Sequence, residues 1–224
     1  MPGFTRYAVY YLPPPGPLAT FGAHWLGWDV QAGRAVAQPD VPGIDRITGQ
    51  PRKYGFHATL KPPFRLAPGG DAAALGAALD VLTARMTPAL CDGLQADRLG
   101  RFLALRPVGG VAAIAGVAAG IVEGLDHFRA PPDRDELARR RKARLTPAQD
   151  ALLTRWGYPY VMEEFRFHMT LTGPLARDEA DTVRAHLDAR LPELPAPFVL
   201  DQVALVGEQA DGMFREISRF FLRG

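Results

Sequence analysis

Two short segments of the chain repeat one pattern of residues that can do chemistry. YGFHATLKPPF (residues 54–64) and FRFHMTLTGPL (residues 165–175) each contain Phe-His-x-Thr-Leu, and each has a proline six residues after its histidine. Histidine titrates near neutral pH and serves as a general acid or base. A threonine hydroxyl donates hydrogen bonds to an oxygen on which negative charge develops. The repeated pair therefore predicts acid–base chemistry at a negatively charged centre.

The spacing within each motif indicates that its two polar residues share one face of a strand. Side chains at i and i+2 of a strand point the same way, so His57 lies beside Thr59, and His168 beside Thr170. Two histidines across a cleft suit in-line displacement at phosphorus, where one takes a proton from water and the other protonates the departing oxygen. Two histidines without a carboxylate supply few metal ligands, so we predict no metal site and no cofactor.

Five further residues are candidates for binding an anionic substrate, because of their charge or their position relative to the motifs. They are Arg166, two residues before His168; Lys61, two residues after Thr59; Arg52 and Tyr54, just before the first motif; and Tyr10, on the first predicted strand. Arginine grips phosphate bidentately, and the motif fixes the phase of Arg166. An ordinary surface charge explains each cation equally well, and core packing is an equal explanation for Tyr10.

The order of the predicted elements is also duplicated. The first half reads as a strand over residues 6–14, a helix from Pro17, a loop, the first motif strand, a helix over 71–86 with Asp71 as its N-cap, and a hairpin around Gly100. The second half reads as the strand 101–107, a helix over 111–128, the second motif strand, a helix over 176–191, and a hairpin turning at Asp211-Gly212.

This duplication predicts an α+β fold of one bilobal domain over residues 1–224. Two antiparallel sheets, related by a pseudo-two-fold axis, would flank a central cleft, with the helices on the outside. The repeats span roughly residues 6–107 and 101–224, and a charged, helix-prone insertion occupies 129–160. The insertion is interpreted either as a solvated helical hairpin or as a lid or phosphate-attracting patch. The patch would be built from Arg139, Arg140, Arg141, Lys142 and Arg144.

Composition excludes several classes of protein. Cys91 is the sole cysteine of the 224 residues, which excludes an intrachain disulfide and a thiolate metal cluster. No signal peptide is evident, and the longest apolar run, residues 108–125, contains Glu123 and reads as a buried helix. The net charge of +2 permits an anionic substrate without indicating a surface that coats nucleic acid. We expect a soluble, cytoplasmic protein with no membrane partner.

The chain resembles the 2H phosphoesterase superfamily, whose members carry two His-x-Thr/Ser-hydrophobic motifs in a duplicated α+β fold. RYAVYYLPP, RKYGFHATLKPPF and FRFHMTLTGPL together resemble its DUF1045 branch, which is associated with phosphonate utilisation. The resemblance implies metal-independent cleavage of a cyclic phosphodiester, with His57 as the proton donor and His168 as the acceptor. In a phosphonate pathway, the substrate would be a phosphorylated ribose 1,2-cyclic phosphate that opens to a ribose bisphosphate.

Two other functions stay open from the sequence. One is an RNA-end enzyme acting on 2′,3′-cyclic or 2′-5′ linkages, which would need a long basic groove with exposed aromatic residues. The low net charge and the clustering of arginines in one insertion disfavour a nucleic-acid partner. The other is a non-catalytic protein that binds a phosphorylated ligand or RNA. The intact His and Thr of both motifs disfavour it.

Overall fold

The computed structural model describes residues 3–224 and has seven α-helices and eleven β-strands in that range. The helices are α1 (Pro17–Leu26), α2 (Ile44–Arg52), α3 (Ala72–Thr83), α4 (Ala112–Gly124), α5 (Arg134–Arg141), α6 (Pro147–Trp156) and α7 (Arg177–Asp188). The strands are β1 (Arg6–Tyr11), β2 (Trp28–Asp29), β3 (Arg34–Ala35), β4 (Ala58–Phe64), β5 (Ala89–Cys91), β6 (Gly93–Leu99), β7 (Phe102–Val108), β8 (Met169–Thr170), β9 (Phe198–Leu200), β10 (Gln202–Glu208) and β11 (Phe214–Phe221). The predicted α+β class is confirmed.

Seven of the strands form one antiparallel sheet in the order β11-β10-β1-β4-β8-β7-β6. One half is β11, β10, β1 and β4, and the other half is β8, β7 and β6. The halves meet where Ala58 of β4 pairs with Met169 of β8. The two antiparallel sheets expected from the repeat are therefore joined edge to edge through their motif strands. β2 with β3, and β5 with β9, form two small separate ribbons.

Helices α1, α2, α3, α4 and α7 cover one face of the large sheet. Alternate residues of β1, such as Val9 and Tyr11, are buried in the main core together with Trp25 of α1, Leu79 of α3 and Ile121 of α4. Helices α2 and α7 contribute buried side chains to the same core. The other residues of β1, including Ala8 and Tyr10, belong to a smaller cluster with Trp28, Val30 and Phe214. The opposite face is consequently free for polar side chains along β4 and β8.

Elements with strong local signals form where the sequence predicts them. The Asp71 side chain caps α3 by accepting hydrogen bonds from the backbone N–H groups of Ala73 and Ala74. Gly100 and Gly212 have φ angles of 61° and 82° in the turns of the β6–β7 and β10–β11 hairpins. The long apolar run forms α4, and none of the helices within residues 3–224 has the length and apolar character to cross a membrane.

Two local predictions were wrong. Residues 44–52, expected to be a loop, form α2, and its buried residues Ile44, Ile47, Thr48 and Pro51 have the i, i+3, i+4, i+7 spacing of a helix. The bounds of the motif strands also differ from the prediction, since each strand starts one residue after its histidine, and β4 continues through Pro62 and Pro63 to Phe64. β8 ends after two residues because the N–H groups of Leu171 and Thr172 both point at one acceptor, the carbonyl of Leu103.

Helix α1 packs directly on the residue that precedes the first motif histidine. Gly22 is buried, and a Cβ atom at this position would collide with the ring of Phe56. We expect Gly22→Ala to lower the free energy of unfolding by about 1–3 kcal/mol, because an extra methyl group overpacks a close contact. Urea denaturation measures this change.

Gly116 is the matched control, since it lies on an exposed part of α4 with no atom within 4 Å of an added Cβ. Gly116→Ala should raise stability by about 0.5–1 kcal/mol through the lower helix propensity of glycine. Equal effects of the two substitutions would contradict the packing argument.

Candidate active site

The β4–β8 pairing brings the two motifs together on one face of the sheet. Extending the register from Ala58 opposite Met169 places His57 opposite Thr170 and Thr59 opposite His168. Residues directly opposite each other in an antiparallel pair point to the same face, and diagonal residues lie about 7–8 Å apart. The two imidazoles are thus held at diagonal corners, with a hydroxyl at each of the other two corners. Ala58 and Met169 point to the core and are fully buried.

Both histidines are oriented by the same local hydrogen bond. The Nδ1 atom of His57 lies 2.9 Å from the carbonyl oxygen of Gly55, and that of His168 lies 2.7 Å from the carbonyl oxygen of Arg166. A carbonyl only accepts, so Nδ1 carries the proton in both rings and Nε2 is left with its lone pair. In each motif the acceptor is two residues before the histidine. The repeated sequence thus sets the tautomer of both imidazoles.

Aromatic rings hold His57 in place. The ring of Tyr10 stacks on the imidazole with centroids 3.8 Å apart and planes 26° apart. This contact follows from the sheet, because Tyr10 of β1 pairs with Thr59 of β4 and faces the same way. Tyr54 lies 6.1 Å from His57 and 5.3 Å from Phe214, ring to ring. His57 Nε2 is 3.0 Å from the hydroxyl of Thr59.

The environment lowers the pKa of both imidazoles. Burial is the main reason why the pKa of His57 is lowered to about 4. The hydrogen bond to the Gly55 carbonyl opposes this shift, and the charge of the nearby His168 adds to it. Burial also lowers the pKa of His168, assisted by the charge of Arg106 and opposed by the Arg166 carbonyl. Neither histidine has a carboxylate among the causes of its pKa shift.

The motif side chains lie between two cavities. The cationic cavity, about 640 Å³, is lined by Arg6, Tyr10, Lys53, Tyr54, His57, Thr59, Pro62, Pro63, Arg65, Glu136, Arg139, Arg140, Tyr158 and Thr170. The aromatic cavity, about 550 Å³, is lined by Thr59, Leu60, Pro62, Leu99, Gly100, Phe102, Gln149, Tyr158, Tyr160, Val161, Glu164, Phe165, Arg166 and His168. Thr59, Pro62 and Tyr158 line both. The two cavities together form a cleft that runs past both histidines.

Three of the five predicted binding residues lie at this cleft. Tyr10 and Tyr54 line the cationic cavity, and Arg166 lines the aromatic cavity. Arg166 has a second contribution that its charge does not reveal, because its backbone carbonyl orients His168. Its side chain is exposed and free to approach an anion.

Lys61 is not at the cleft, which corrects the prediction from strand phase. A register shift between β1 and β4 pairs Thr59 with Tyr10 but Lys61 with Val9, so one strand advances two residues while the other advances one. This irregularity turns Lys61 to the core face. Its ammonium is 3.1 Å from the carbonyl oxygen of Val122 and 3.7 Å from Asp126, and burial lowers the pKa of Lys61 to about 8.

Arg52 is also placed differently from the prediction. Its guanidinium donates to the carbonyl of Leu26 at 2.8 Å, to the Gln38 side chain at 2.7 Å and to Asp45 at 2.8 Å. These contacts tie the end of α2 to the end of α1. Arg52 is therefore a structural residue that holds the segment before the first motif, and it does not line either cavity.

The cleft contains functional candidates that strand phase and motifs did not single out. They are Arg6, Arg65, Tyr158 and Lys53, which lies between Arg52 and Tyr54. Of the phosphate-attracting patch expected from the sequence, Arg139 and Arg140 line the cationic cavity, and Arg141, Lys142 and Arg144 line neither cavity. The alternation of β1 carries a signal for Arg6, which shares the face of Tyr10. The insertion residues reach the cleft through tertiary packing, for which the sequence has no local signal. Arg140 lies over the ring of Tyr158, 4.9 Å from its centroid.

The family of the chain follows from its similarity to known sequences. The chain resembles the 2H phosphoesterases in its antiparallel α+β fold and in its two His-x-Thr motifs on neighbouring strands. Residues 59–215 match the family described as "Protein of unknown function (DUF1045)". This span is more than half of the chain, and the protein belongs to the DUF1045 family.

Two curated relatives share the name ribose 1,5-bisphosphate phosphokinase PhnN. The protein from Janthinobacterium sp. (strain Marseille) is 39% identical, over 93% of this chain and 48% of the relative. The protein from Laribacter hongkongensis (strain HLHK9) is 39% identical, over 83% of this chain and 45% of the relative. The chain thus spans about half the length of the curated relatives it matches.

Two solved structures are similar over almost their whole length. The crystal structure of Escherichia coli LigT complexed with 3′-AMP has 16% identity and a TM-score of 0.44, covering 98% of both chains. A crystal structure described as a phosphoesterase has 15% identity and a TM-score of 0.44, covering 98% of this chain and 99% of the other.

The core position of Lys61 has a testable consequence. We expect Lys61→Met to leave turnover within about twofold of the wild type, because the ammonium does not reach the cleft and methionine fills a similar volume. Steady-state kinetics on a cyclic phosphodiester measures this. Arg166→Met is the comparison, since its side chain lines the cleft and its loss should raise KM. A large rise in KM for Lys61→Met would contradict the assignment.

Proposed function

We propose that this protein is a metal-independent phosphoesterase that hydrolyses a cyclic phosphodiester of a small phosphorylated metabolite by paired-histidine acid–base catalysis. The observation that carries the proposal is the interlocking of the two motifs across β4 and β8. Each imidazole has its Nδ1–H committed to a backbone carbonyl and its Nε2 available. A phosphate placed between diagonal histidines would have a base on one side and an acid on the other.

In the proposed reaction, His57 is the base and His168 the acid. Neutral His57 takes a proton from water through Nε2, the water oxygen bonds to phosphorus, and the ring P–O bond breaks. Protonated His168 gives its proton to the departing oxygen. The pKa values of both rings are lowered, and His57, whose pKa is lowered to about 4, is assigned the role that requires a neutral ring. This order reverses the roles that the family resemblance implies.

Thr59 and Thr170 would donate hydrogen bonds to the non-bridging oxygens. The hydroxyl of Thr59 lies 3.0 Å from Nε2 of His57. When a phosphate binds, that hydroxyl would turn to the anion and release the lone pair of His57 for water. Donors held in place by strands stabilise charge that grows in the transition state without reorganisation.

The substrate proposal is a ribose 1,2-cyclic phosphate that carries a 5-phosphate. Hydrolysis between phosphorus and O2 of this compound yields ribose 1,5-bisphosphate, the compound in the name of the two curated relatives. The kinase activity in that name is not carried over. Phosphoryl transfer from a nucleotide commonly uses a GxxxxGK[ST] loop, and no such motif occurs in these 224 residues.

A second candidate substrate is the 2′,3′-cyclic phosphate at an RNA end. The aromatic cavity favours it, because Phe102, Tyr160 and Phe165 line the space next to His168. A base can stack on such rings regardless of its identity. A substrate panel with both cyclic phosphates and a 2′-5′ linked dinucleotide separates the two candidates by their kcat/KM.

Both histidines should be essential when metals are removed. We expect His57→Asn and His168→Asn each to reduce kcat by about 10²–10⁴ in the presence of EDTA, since each removes one proton-transfer partner. Turnover of the panel by purified protein measures this. His24→Asn is the control, since that histidine contacts the carbonyl of Ala37 and lies outside both cavities. Full activity in either motif variant, or loss of wild-type activity in EDTA, would overturn the proposal.

The same variants assign the two roles. A p-nitrophenyl phosphodiester releases an anion that needs no proton, so it bypasses the general acid. His168→Asn should therefore recover most of its loss on this substrate, and His57→Asn should not. Recovery by His57→Asn alone would restore the order that the resemblance implies.

The rate should depend on pH as a bell with an acidic optimum. The active form has neutral His57 and protonated His168. Activity falls below about pH 4 as His57 gains a proton, and it falls as pH rises through the pKa of His168, which burial holds below 6.5. We expect kcat/KM to peak below pH 6.5. A plateau that extends above pH 8 would contradict the assignment of these groups.

A further inference from the structure

The charges of the cleft are distributed unevenly along its length. Five cationic side chains line the cationic cavity: Arg6, Lys53, Arg65, Arg139 and Arg140. The aromatic cavity has one, Arg166. The five cations of the cationic cavity come from four separate parts of the chain, namely β1, the turn before the first motif, the end of β4 and helix α5. The scissile phosphate needs charge at the imidazoles, but these cations lie to one side of them.

The cations exceed the carboxylates that pair with them. Glu208 binds Arg6 with two contacts of 2.6 Å, Asp133 lies 3.2 Å from Arg65, and Glu136 lies 3.5 Å from Arg65 and 2.9 Å from Arg140. These three carboxylates offset three of the five positive charges.

Two of the five cations in the cationic cavity have no carboxylate partner of this kind. Within residues 3–224, Lys53 and Arg139 have no carboxylate within 4.0 Å, and the Lys53 ammonium lies 4.8 Å from the ring centre of Tyr54. The excess of two positive charges matches a phosphomonoester, which carries about −1.5 to −2 at pH 7. The carboxylates also hold Arg6, Arg65 and Arg140 against the wall, so less side-chain freedom is lost when an anion binds.

The cationic cavity extends along β1 beyond the position of the imidazoles. Arg6 is four residues from Tyr10 along β1, and Tyr10 stacks on His57. At 3.2–3.4 Å per residue, the two Cα atoms are about 13 Å apart. This separation is larger than one phosphate group and has room for a sugar between two of them.

The wall of the cavity also contains an unused hydrogen-bond donor. The hydroxyl of Tyr10 is buried and has no hydrogen-bond partner in the described part of the chain, although Tyr10 lines the cationic cavity. A buried hydroxyl without a partner destabilises a protein, so an acceptor from outside the chain is expected here. An anionic oxygen accepts such a bond.

We propose that Arg6, Lys53, Arg65, Arg139 and Arg140 form a second-anion subsite for a phosphomonoester carried by the substrate at a distance from its scissile ester. The subsite makes the protein selective for doubly phosphorylated substrates, and the insertion supplies two of its five cations. This inference deepens the proposed function, because it assumes that the reacting ester lies between His57 and His168. Its test is built so that the subsite can succeed or fail independently of catalysis.

Binding of ribose 5-phosphate, with ribose as its uncharged counterpart, tests the subsite without turnover. Isothermal titration at low salt would use the wild type, Lys53→Gln and Arg139→Gln. These two cations are chosen because removing them leaves no carboxylate unpaired, whereas removal of Arg6 would strand Glu208. Lys142→Gln is the matched control, an exposed cation on the same insertion that lines neither cavity.

We expect ribose 5-phosphate to bind and ribose not to bind. Lys53→Gln and Arg139→Gln should each weaken binding about tenfold, the double variant about a hundredfold, and Lys142→Gln not at all. Failure of ribose 5-phosphate to bind, or equal effects of Arg139→Gln and Lys142→Gln, would overturn the subsite.

Kinetics separates this result from the proposed function. If 2′,3′-cyclic AMP is hydrolysed and an added 5′-phosphate does not raise kcat/KM, the proposed phosphoesterase activity is supported and the proposed subsite is refuted. If binding of ribose 5-phosphate depends on Lys53 and Arg139 but no cyclic phosphate is hydrolysed, the subsite is supported and the proposed phosphoesterase activity is refuted. A kcat/KM that rises at least tenfold with the 5′-phosphate, and loses this gain in Arg139→Gln, supports both.

Discussion

The pairing of Ala58 with Met169 is the constraint on which the rest of the site depends. This single pair joins two halves of the sheet that are far apart in sequence. Because side chains alternate along a strand, a slip of one residue would turn one motif into the core and its apolar neighbours into the cleft. Both neighbours in the pair are fully buried, so burial of Ala58 and Met169 fixes the register that sets the distance between the histidines.

The sheet also explains why the site has one open face. Helices α1, α3, α4 and α7 cover the core side, and the face with the imidazoles is covered only in part, by the small apolar cluster around Tyr10 and by the insertion. Tyr158 of the insertion lines both cavities. The insertion thus supplies walls to the cleft, which favours its interpretation as a functional patch over that of a solvated hairpin alone.

Local patterns in the sequence were enough to predict most of the elements and the central motifs. The N-cap at Asp71, the hairpin turns and the i, i+2 phase of His and Thr depend on neighbours in the chain. Lys61 could not be placed in this way, because the irregularity that turns it inward arises between β1 and β4. Arg139 and Arg140 reach the cleft only through packing of α5, and the helical spacing of α2 was obscured by the prolines and glycines around it.

The carbonyl partners of the two histidines have a consequence for how the protein holds protons. A carboxylate beside an imidazole stabilises its cation in advance, whereas a backbone carbonyl orients the ring with much less gain for the charged form. In the mechanism that we propose, His168 must be protonated to act as an acid, and its surroundings disfavour the protonated form. A bound phosphate would supply negative charge beside the ring, so phosphate binding and proton uptake would be thermodynamically linked. Binding of the substrate would thus itself favour the protonation state that the proposed reaction requires.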